Sequence, residues 1–592
     1  MPNGAPIYNY PPHLYIADNK SFILKKSQLL FGLWWIYVII QFLDHKATTI
    51  FAIYSTVLFL VLLKITALFT SPNFNFKLLF IGIAAIATTE SVYCLAQFFG
   101  LFQSHNEQFT VTGSWTNPNV IAIFLALTVP VFLFLFRFKY KKIVVVAFFT
   151  VVIAILLLKC RAAIIGTVLS LIVFYSLEYN FISWATNVRN RTSVKALIAI
   201  CLLIAIPISG GLYNAKKDSA DGRKFIWKLS AQMFANKPLT GFGYGSFERD
   251  YNLFQANYIQ NGKATIDELA NAGPVIMPHN ELLQNAVEGG IVGVILVISF
   301  FGSLLLSIKQ RPNHNKVVVR ENTVAKSSNY HLAYAGIVAF IGMSMVNSTM
   351  QIVPVMSLLI VYAAIICSNS PTLKLPLFFS FFERNKLFSI AIKTVKTAFS
   401  FYIIYLVIDI AIADSRNKKA QIISEKGNNA QAILIMNDLE TYLKNDAGYW
   451  VNFGLLHYKN RDYTQAINCI KKAQKLTALP EVYVLAATSY EKLKLYPLAI
   501  KEYETAISLH PSKFLYRMFL LEIYVKTDDK QKAIGLAQEI IKMNPKIPSE
   551  KVNRYKSICR RLLVDYGILN TVKKQFQVKQ VNQSSFFKKI QK

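Results

Sequence analysis

Eleven stretches of this chain are apolar for long enough to cross a bilayer, and that pattern decides the fold class before any motif is read. They run at about 28–43, 47–69, 77–100, 119–136, 143–159, 162–177, 195–213, 280–308, 330–348, 352–368 and 393–413. Each is near the roughly 20 residues that a helix needs to span the hydrocarbon. In lipid every backbone N–H and C=O must find its partner within the protein, which leaves helices or closed barrels. Runs of this length point to helices, so the chain is expected to be an all-α polytopic membrane helical bundle of about eleven spans, or twelve. Of its 592 residues 54% are hydrophobic and 16% charged, more apolar matter than a soluble domain has use for.

The formal charge of +32 fits the same picture. Its lysines and arginines sit between the apolar runs, which argues for cytoplasmic loops facing anionic lipid and against a nucleic-acid surface. "RFKYKK" at 137–142, the loop with Arg189, Arg191 and Lys195, and the loop 309–329 are basic. The intervening stretch 100–119 has no Lys or Arg at all. The positive-inside bias therefore puts the N-terminal segment 1–27 in the cytoplasm and 100–118 outside. The long loop 213–279 follows as extracytoplasmic, and with eleven spans so does the C-terminal part; an even count would reverse that last placement. Lys20, Lys25 and Lys26 precede the first run without a clear cleavage site after it, so this helix is expected to remain as a signal anchor. The six cysteines show neither CxxC nor metal-type spacing, and no metal or cofactor is expected.

After about residue 415 the composition turns to soluble helix with a period near 34. Tyr458, Tyr490 and Tyr524 recur, as do Ala466, Ala499 and Ala533, and then Pro511 and Pro545. This resembles tetratricopeptide repeats, an α-solenoid in which small Ala lets paired helices touch and Pro closes the second helix. Repeats of this type bind protein partners. The expected organisation is a transmembrane domain at 28–413, repeats at 416–572 and a tail at 573–592.

Three groups could carry chemistry. Arg161, in "LLLKCRAAIIG", stands at an outer membrane face, where a charge needs a partner or water; a snorkelling helix end is the plain alternative. Arg223 lies in "SADGRKFIWKLSAQMFANKPLTGFGYGSF", in the first turn of a helix that Asp221 or Ser219 would cap. There its forked donors suit a phosphate; an exposed loop arginine is the plain alternative. The third group is "PVIMPHNELLQNAVEGGIVG". Pro278 stops a helix from running in from upstream and leaves His279 at the start of a span. At 100° per residue Asn280, Glu281, Gln284, Asn285 and Glu288 share one arc, which points at water, at protein or into a polar cavity. The alternating glycines of "TGFGYGSF" (240–247) follow "NKP" and no apolar strand, so they read as a tight turn and not as a dinucleotide fingerprint. His105 reads as a loop residue.

At these residues the chain resembles the O-antigen ligase and polymerase superfamily. The resemblance is carried in order by "GSWTNPNVIAIFLALTVPVFLFL" (113–135), "KCRAAIIGTVLSL", "DGRKFIWKLSAQMFANKPLTGFGYGSF" and "HNELLQNAVEGGIVG". Cys160 stands where the family commonly has serine. The resemblance implies a glycosyltransferase that moves a glycan from a polyprenyl-pyrophosphate carrier to an acceptor hydroxyl. It implies the periplasmic face of the bacterial inner membrane, with a glycolipid of lipid A-core type or a protein as acceptor. His279 would be the catalytic histidine and Arg161 and Arg223 the pyrophosphate ligands; Asn280, Glu281, Glu288 and Asn117 are possible supporting residues. Ligation of O-antigen-like glycan leads; polymerisation and protein O-glycosylation share the motifs. A non-catalytic membrane scaffold or carrier is the alternative of another class, and the near absence of acidic residues from the spans, Glu90 apart, counts against a carrier.

Overall fold

A computed structural model describes residues 25–179, 217–307, 321–370, 386–545 and 548–568. Every regular element among them is a helix. In chain order these are α1 (Lys26–Leu43), α2 (Thr49–Phe69), α3 (Phe76–Phe98), α4 (Pro118–Leu135), α5 (Lys141–Leu157) and α6 (Arg161–Glu178). Then come α7 (Lys217–Asn236), α8 (Phe247–Gln260), α9 (Ile266–Asn271), α10 (Glu281–Leu306), α11 (Glu321–Ser344), α12 (Val353–Asn369) and α13 (Lys386–Glu425). The C-terminal part adds α14 (Asn429–Leu443), α15 (Ala447–Lys459), α16 (Tyr463–Gln474), α17 (Pro480–Lys492), α18 (Tyr496–Leu509), α19 (Phe514–Lys526), α20 (Lys530–Lys542) and α21 (Glu550–Asp565). A helix stands at each predicted span except 195–213, which lies outside the described residues, as do 1–24 and the tail 573–592. Seven of the described helices are long and apolar enough to cross a membrane.

The bundle is built around α4, whose residues are nearly all buried. Helix α6 packs along α11 through small residues: Ala162, Ala163, Gly166 and Ser170 are buried, and a Cβ on Gly166 would meet Met343 at 2.5 Å. Close backbone approach of this kind is how helices associate where lipid offers no hydrophobic drive. Two ends of the bundle can be told apart by their bonds. At one, Glu178 holds both Arg137 and His331, Lys25 donates to Ser370 O, and Ser303 donates to Ser27 Oγ at 2.8 Å. The lysine-rich turn 137–142 belongs to this end. At the other end lie the α1–α2 turn, the α5–α6 turn, helices α7 to α9 and the loop 345–352.

The repeats form three helix pairs, α15/α16, α17/α18 and α19/α20, with Ala466, Ala499 and Ala533 fully buried where each pair meets. Asp446, Asp462 and Asp529 cap α15, α16 and α20 by accepting from backbone N–H groups. The repeats rest on α8, so they share an end with the long loop. Glu248 accepts from Thr477 Oγ1 at 2.8 Å and Ala478 N at 3.2 Å; Arg249 Nη1 donates to Lys475 O at 2.9 Å. Gln255 and Gln260 reach Leu509 O and Ser508 Oγ, and Ala256 enters the repeats' own buried cluster. Glu248→Ala leaves the Ala478 N–H without its partner in a half-buried contact, a loss of about 1–3 kcal/mol. The expected result is faster hydrogen exchange over 475–480 while α4 keeps its protection.

Candidate active site

One short loop gathers the site. Three consecutive residues after α11 engage α7 and the entry of α10: Met345 O accepts from Asn280 Nδ2 at 3.1 Å, Val346 O from Arg223 Nη1 at 2.9 Å, and Asn347 Oδ1 lies 3.3 Å from His279 Nδ1. The tight α6–α11 packing carries Arg161 to this same end, since α6 begins where α11 finishes. Arg161 is the first residue of α6, after a turn in which Lys159 takes φ 51° and Cys160 is buried. Its Nη2 is buried without a hydrogen-bond partner among the described residues. The Arg161 charge is felt at Arg223: burial first, and then that neighbouring charge, disfavours the charged form of Arg223.

His279 sits just ahead of α10 with φ 56°, in the left-handed region that a non-glycine residue rarely adopts. Both flanks hold it there. Pro278 O accepts from Trp227 Nε1 of α7 at 2.8 Å. Asn280 caps α10 by accepting from Leu283 N at 3.0 Å. Burial, and then the Arg223 charge, push the His279 imidazole below its ordinary value of 6.5, partly opposed by Asn347. The ring is therefore neutral at neutral pH, the form in which histidine can take up a proton.

The structure corrects one expectation and decides among the alternatives left by another. Helix α7 already runs from Lys217, so neither Asp221 nor Ser219 caps it and Arg223 lies past the first turn. Of water, protein and a polar cavity, the polar arc of α10 faces protein: Glu281, Gln284, Asn285 and Glu288 are all buried. Glu281 Oε1 accepts from Thr349 N and, at 2.7 Å, from Met350 N. Glu288 Oε1 accepts from Gly245 N at 3.1 Å and Phe247 N at 3.3 Å. Each carboxylate thus ties a loop to α10. Together with Trp34 and Tyr54 these residues border a mostly apolar cavity of about 40 Å³. Asn117 caps α4, and among the described residues no hydrogen bond joins it to His279 or the arginines. His105, in the 100–117 loop, contacts Tyr93 of α3.

The glycine-rich turn has a use of its own. Helix α10 breaks at Gly290, with φ 62° and ψ −164°. The backbone groups at the break pair with the turn: Phe242 N and Gly243 N donate to Val287 O and Glu288 O, both at 2.8 Å, and Ile291 N donates to Pro238 O at 2.8 Å. A broken helix at membrane depth is tolerated when its freed groups are paired inside protein. The turn must lie flat against α10, and a Cβ on Gly241 would come within 2.5 Å of Glu288 O.

The family described as O-antigen ligase matches residues 146–298, the stretch that carries Arg161, Arg223 and His279. Residues 146–298 form an O-antigen ligase domain. The tetratricopeptide repeat family matches 447–478 and 480–513. A Rickettsia conorii protein named "Putative polysaccharide ligase" is 31% identical over 106 residues, and a Rickettsia felis protein of that name 33% identical over 105. Each alignment covers 17% of this chain, which thus spans about a quarter (24%) of the length of these relatives. Among solved structures, MamA is 15% identical, with 26% of this chain and 80% of that one covered and a TM-score of 0.20. Yeast Tom70 is 13% identical, with 78% and 95% covered and a TM-score of 0.24. Asn347 and its loop fall outside the O-antigen ligase domain, and the sequence reading missed them. The signal available was the small polar run "NST" between two apolar helices.

Proposed function

We propose that the chain transfers a glycan from a polyprenyl-pyrophosphate carrier to an acceptor hydroxyl, as a ligase of O-antigen type at the periplasmic face of a bacterial inner membrane. The observation that carries this reading is the convergence of Arg223 and His279 on one loop, with the Arg161 charge acting on Arg223 and a buried guanidinium nitrogen of Arg161 unpaired among the described residues. Buried donors are rarely left unmatched, and an anion satisfies this one. Two forked guanidiniums suit a pyrophosphate and gain strength as the leaving group takes up charge. His279 accepts the hydroxyl proton as the acceptor oxygen bonds to the anomeric carbon. The anomeric carbon–oxygen bond breaks, and the pyrophosphate leaves with its electron pair. The lysine-rich end with Arg137 faces the cytoplasm in this reading, and the end shared by His279 and the repeats faces the periplasm. The membrane domain is taken as 28–413 and the repeats as 416–572, which would dock a protein partner on the same side.

A deletion strain tests the reading. Surface polymer missing from its lipid acceptor, with chain length intact, supports a ligase. Single-unit glycans would make the protein a polymerase, and unglycosylated proteins beside normal surface glycan a protein transferase. The pH profile gives a further check. Because burial and Arg223 hold His279 below 6.5, the neutral base persists as pH falls to that value, and transfer fails only below it. Arg223→Gln removes the opposing charge, so whatever activity remains is expected to lose its acid limb at a higher pH than in the parent.

A further inference from the structure

We infer that Asn347 is a positioning residue that fixes His279 in the tautomer with its proton on Nδ1, so that Nε2 is the bare nitrogen which takes the acceptor's proton. This rests on the reading of His279 as the base. The amide oxygen and nitrogen of an asparagine are told apart by their partners. The Asn347 atom facing His279 also lies 3.0 Å from the backbone N of Ser348, and a backbone N–H can only donate. That atom must therefore accept, so it is the oxygen. His279 Nδ1, 3.3 Å from the same oxygen, must then carry the proton. A neutral imidazole has one ring proton, and Nε2 is left with its lone pair. Ring orientation set by the partner of the other nitrogen is how histidines are commonly tuned. The backbone on either side of His279 is pinned by Trp227 and Asn280, so the ring has few other ways to sit.

Among the described residues, Arg223 is the charged group that acts directly on His279. From α7 the group facing His279 is Arg223, with Arg161 of α6 and Cys160, just ahead of it, acting on Arg223. The loop 345–352 contains no charged residue. On α10 the nearest carboxylate, Glu281, is engaged with Thr349 and Met350.

Two measurements on the full chain in lipid nanodiscs decide the matter, and neither needs a glycan substrate. In the first, solid-state nitrogen spectra of histidine-labelled protein are taken at neutral pH, with His279→Gln as the assignment control. A protonated Nδ1 and a bare Nε2 are expected; a bare Nδ1 overturns the inference. In the second, the pH dependence of carbethoxylation of His279 by diethyl pyrocarbonate is followed by peptide mass spectrometry. Asn347→Asp keeps both accepted hydrogen bonds and adds a negative charge, which should raise the labelling midpoint by about one pH unit or more. A midpoint unchanged in a variant that melts like the parent also overturns it. Full glycan transfer by His279→Ala would instead defeat the functional reading, so the two failures are distinct.

Discussion

His279→Ala is expected to lower glycan transfer by about 10²–10⁴-fold, the range that a positioned general base contributes. The loss should fall on kcat more than on KM, because the arginines proposed to meet the donor remain. Folding should survive. The His279 ring is only partly buried and its one hydrogen-bond partner among the described residues is Asn347, whose oxygen keeps the Ser348 N–H. The backbone at φ 56° is strained for histidine and alanine alike, and Trp227 and Asn280 hold it through groups that the substitution leaves in place. The measurement is transfer to acceptor in membranes matched for protein amount, with thermal unfolding alongside. Undiminished transfer at a normal protein level would remove His279 from the mechanism.

The second large effect is expected on stability. At Gly290 φ 62° and ψ −164° form a combination open essentially to glycine alone, worth about 1–3 kcal/mol of strain for any other residue. An added Cβ would also lie 2.3 Å from Leu239 O and 2.6 Å from Thr240 N. Neither atom can retreat, because both belong to the turn that pairs with the broken backbone of α10. Gly290→Ala should therefore cost at least about 3 kcal/mol and sharply reduce the yield of folded protein. Gly302→Ala, farther along the same helix, meets nothing within 4 Å and should be silent. Equal melting of the two variants would show that the break at Gly290 is not a fixed part of the fold.

Much of the fold was legible because its signals are local. Apolar run length announces a helix in lipid, and the spacing of Ala466, Ala499 and Ala533 announces a helix pair without knowledge of anything distant. The start of α10 was legible for the same reason, since Pro278 acts on its own neighbours. What stayed hidden was pairing at long range. The polar arc of α10 looked equally fit for water or protein, because nothing near Glu288 in sequence shows that Gly245 N and Phe247 N come to meet it. Asn347 stayed hidden because its meaning lies 68 residues away, at His279. The start of α7 was misplaced because Asp221 looks like a cap, yet its carboxylate spends itself on Lys224 at 3.1 Å.

The loop 345–347 bears on how such a protein can be cut into parts. A fragment confined to 146–298 would hold the proposed base and both guanidiniums, and so would seem to carry the whole proposed chemistry. It would lack all three acceptors that align Asn280, Arg223 and His279. The chemical groups and the jig that holds them true are encoded in separate stretches of the chain. A minimal catalytic fragment therefore has to reach at least through the loop after α11.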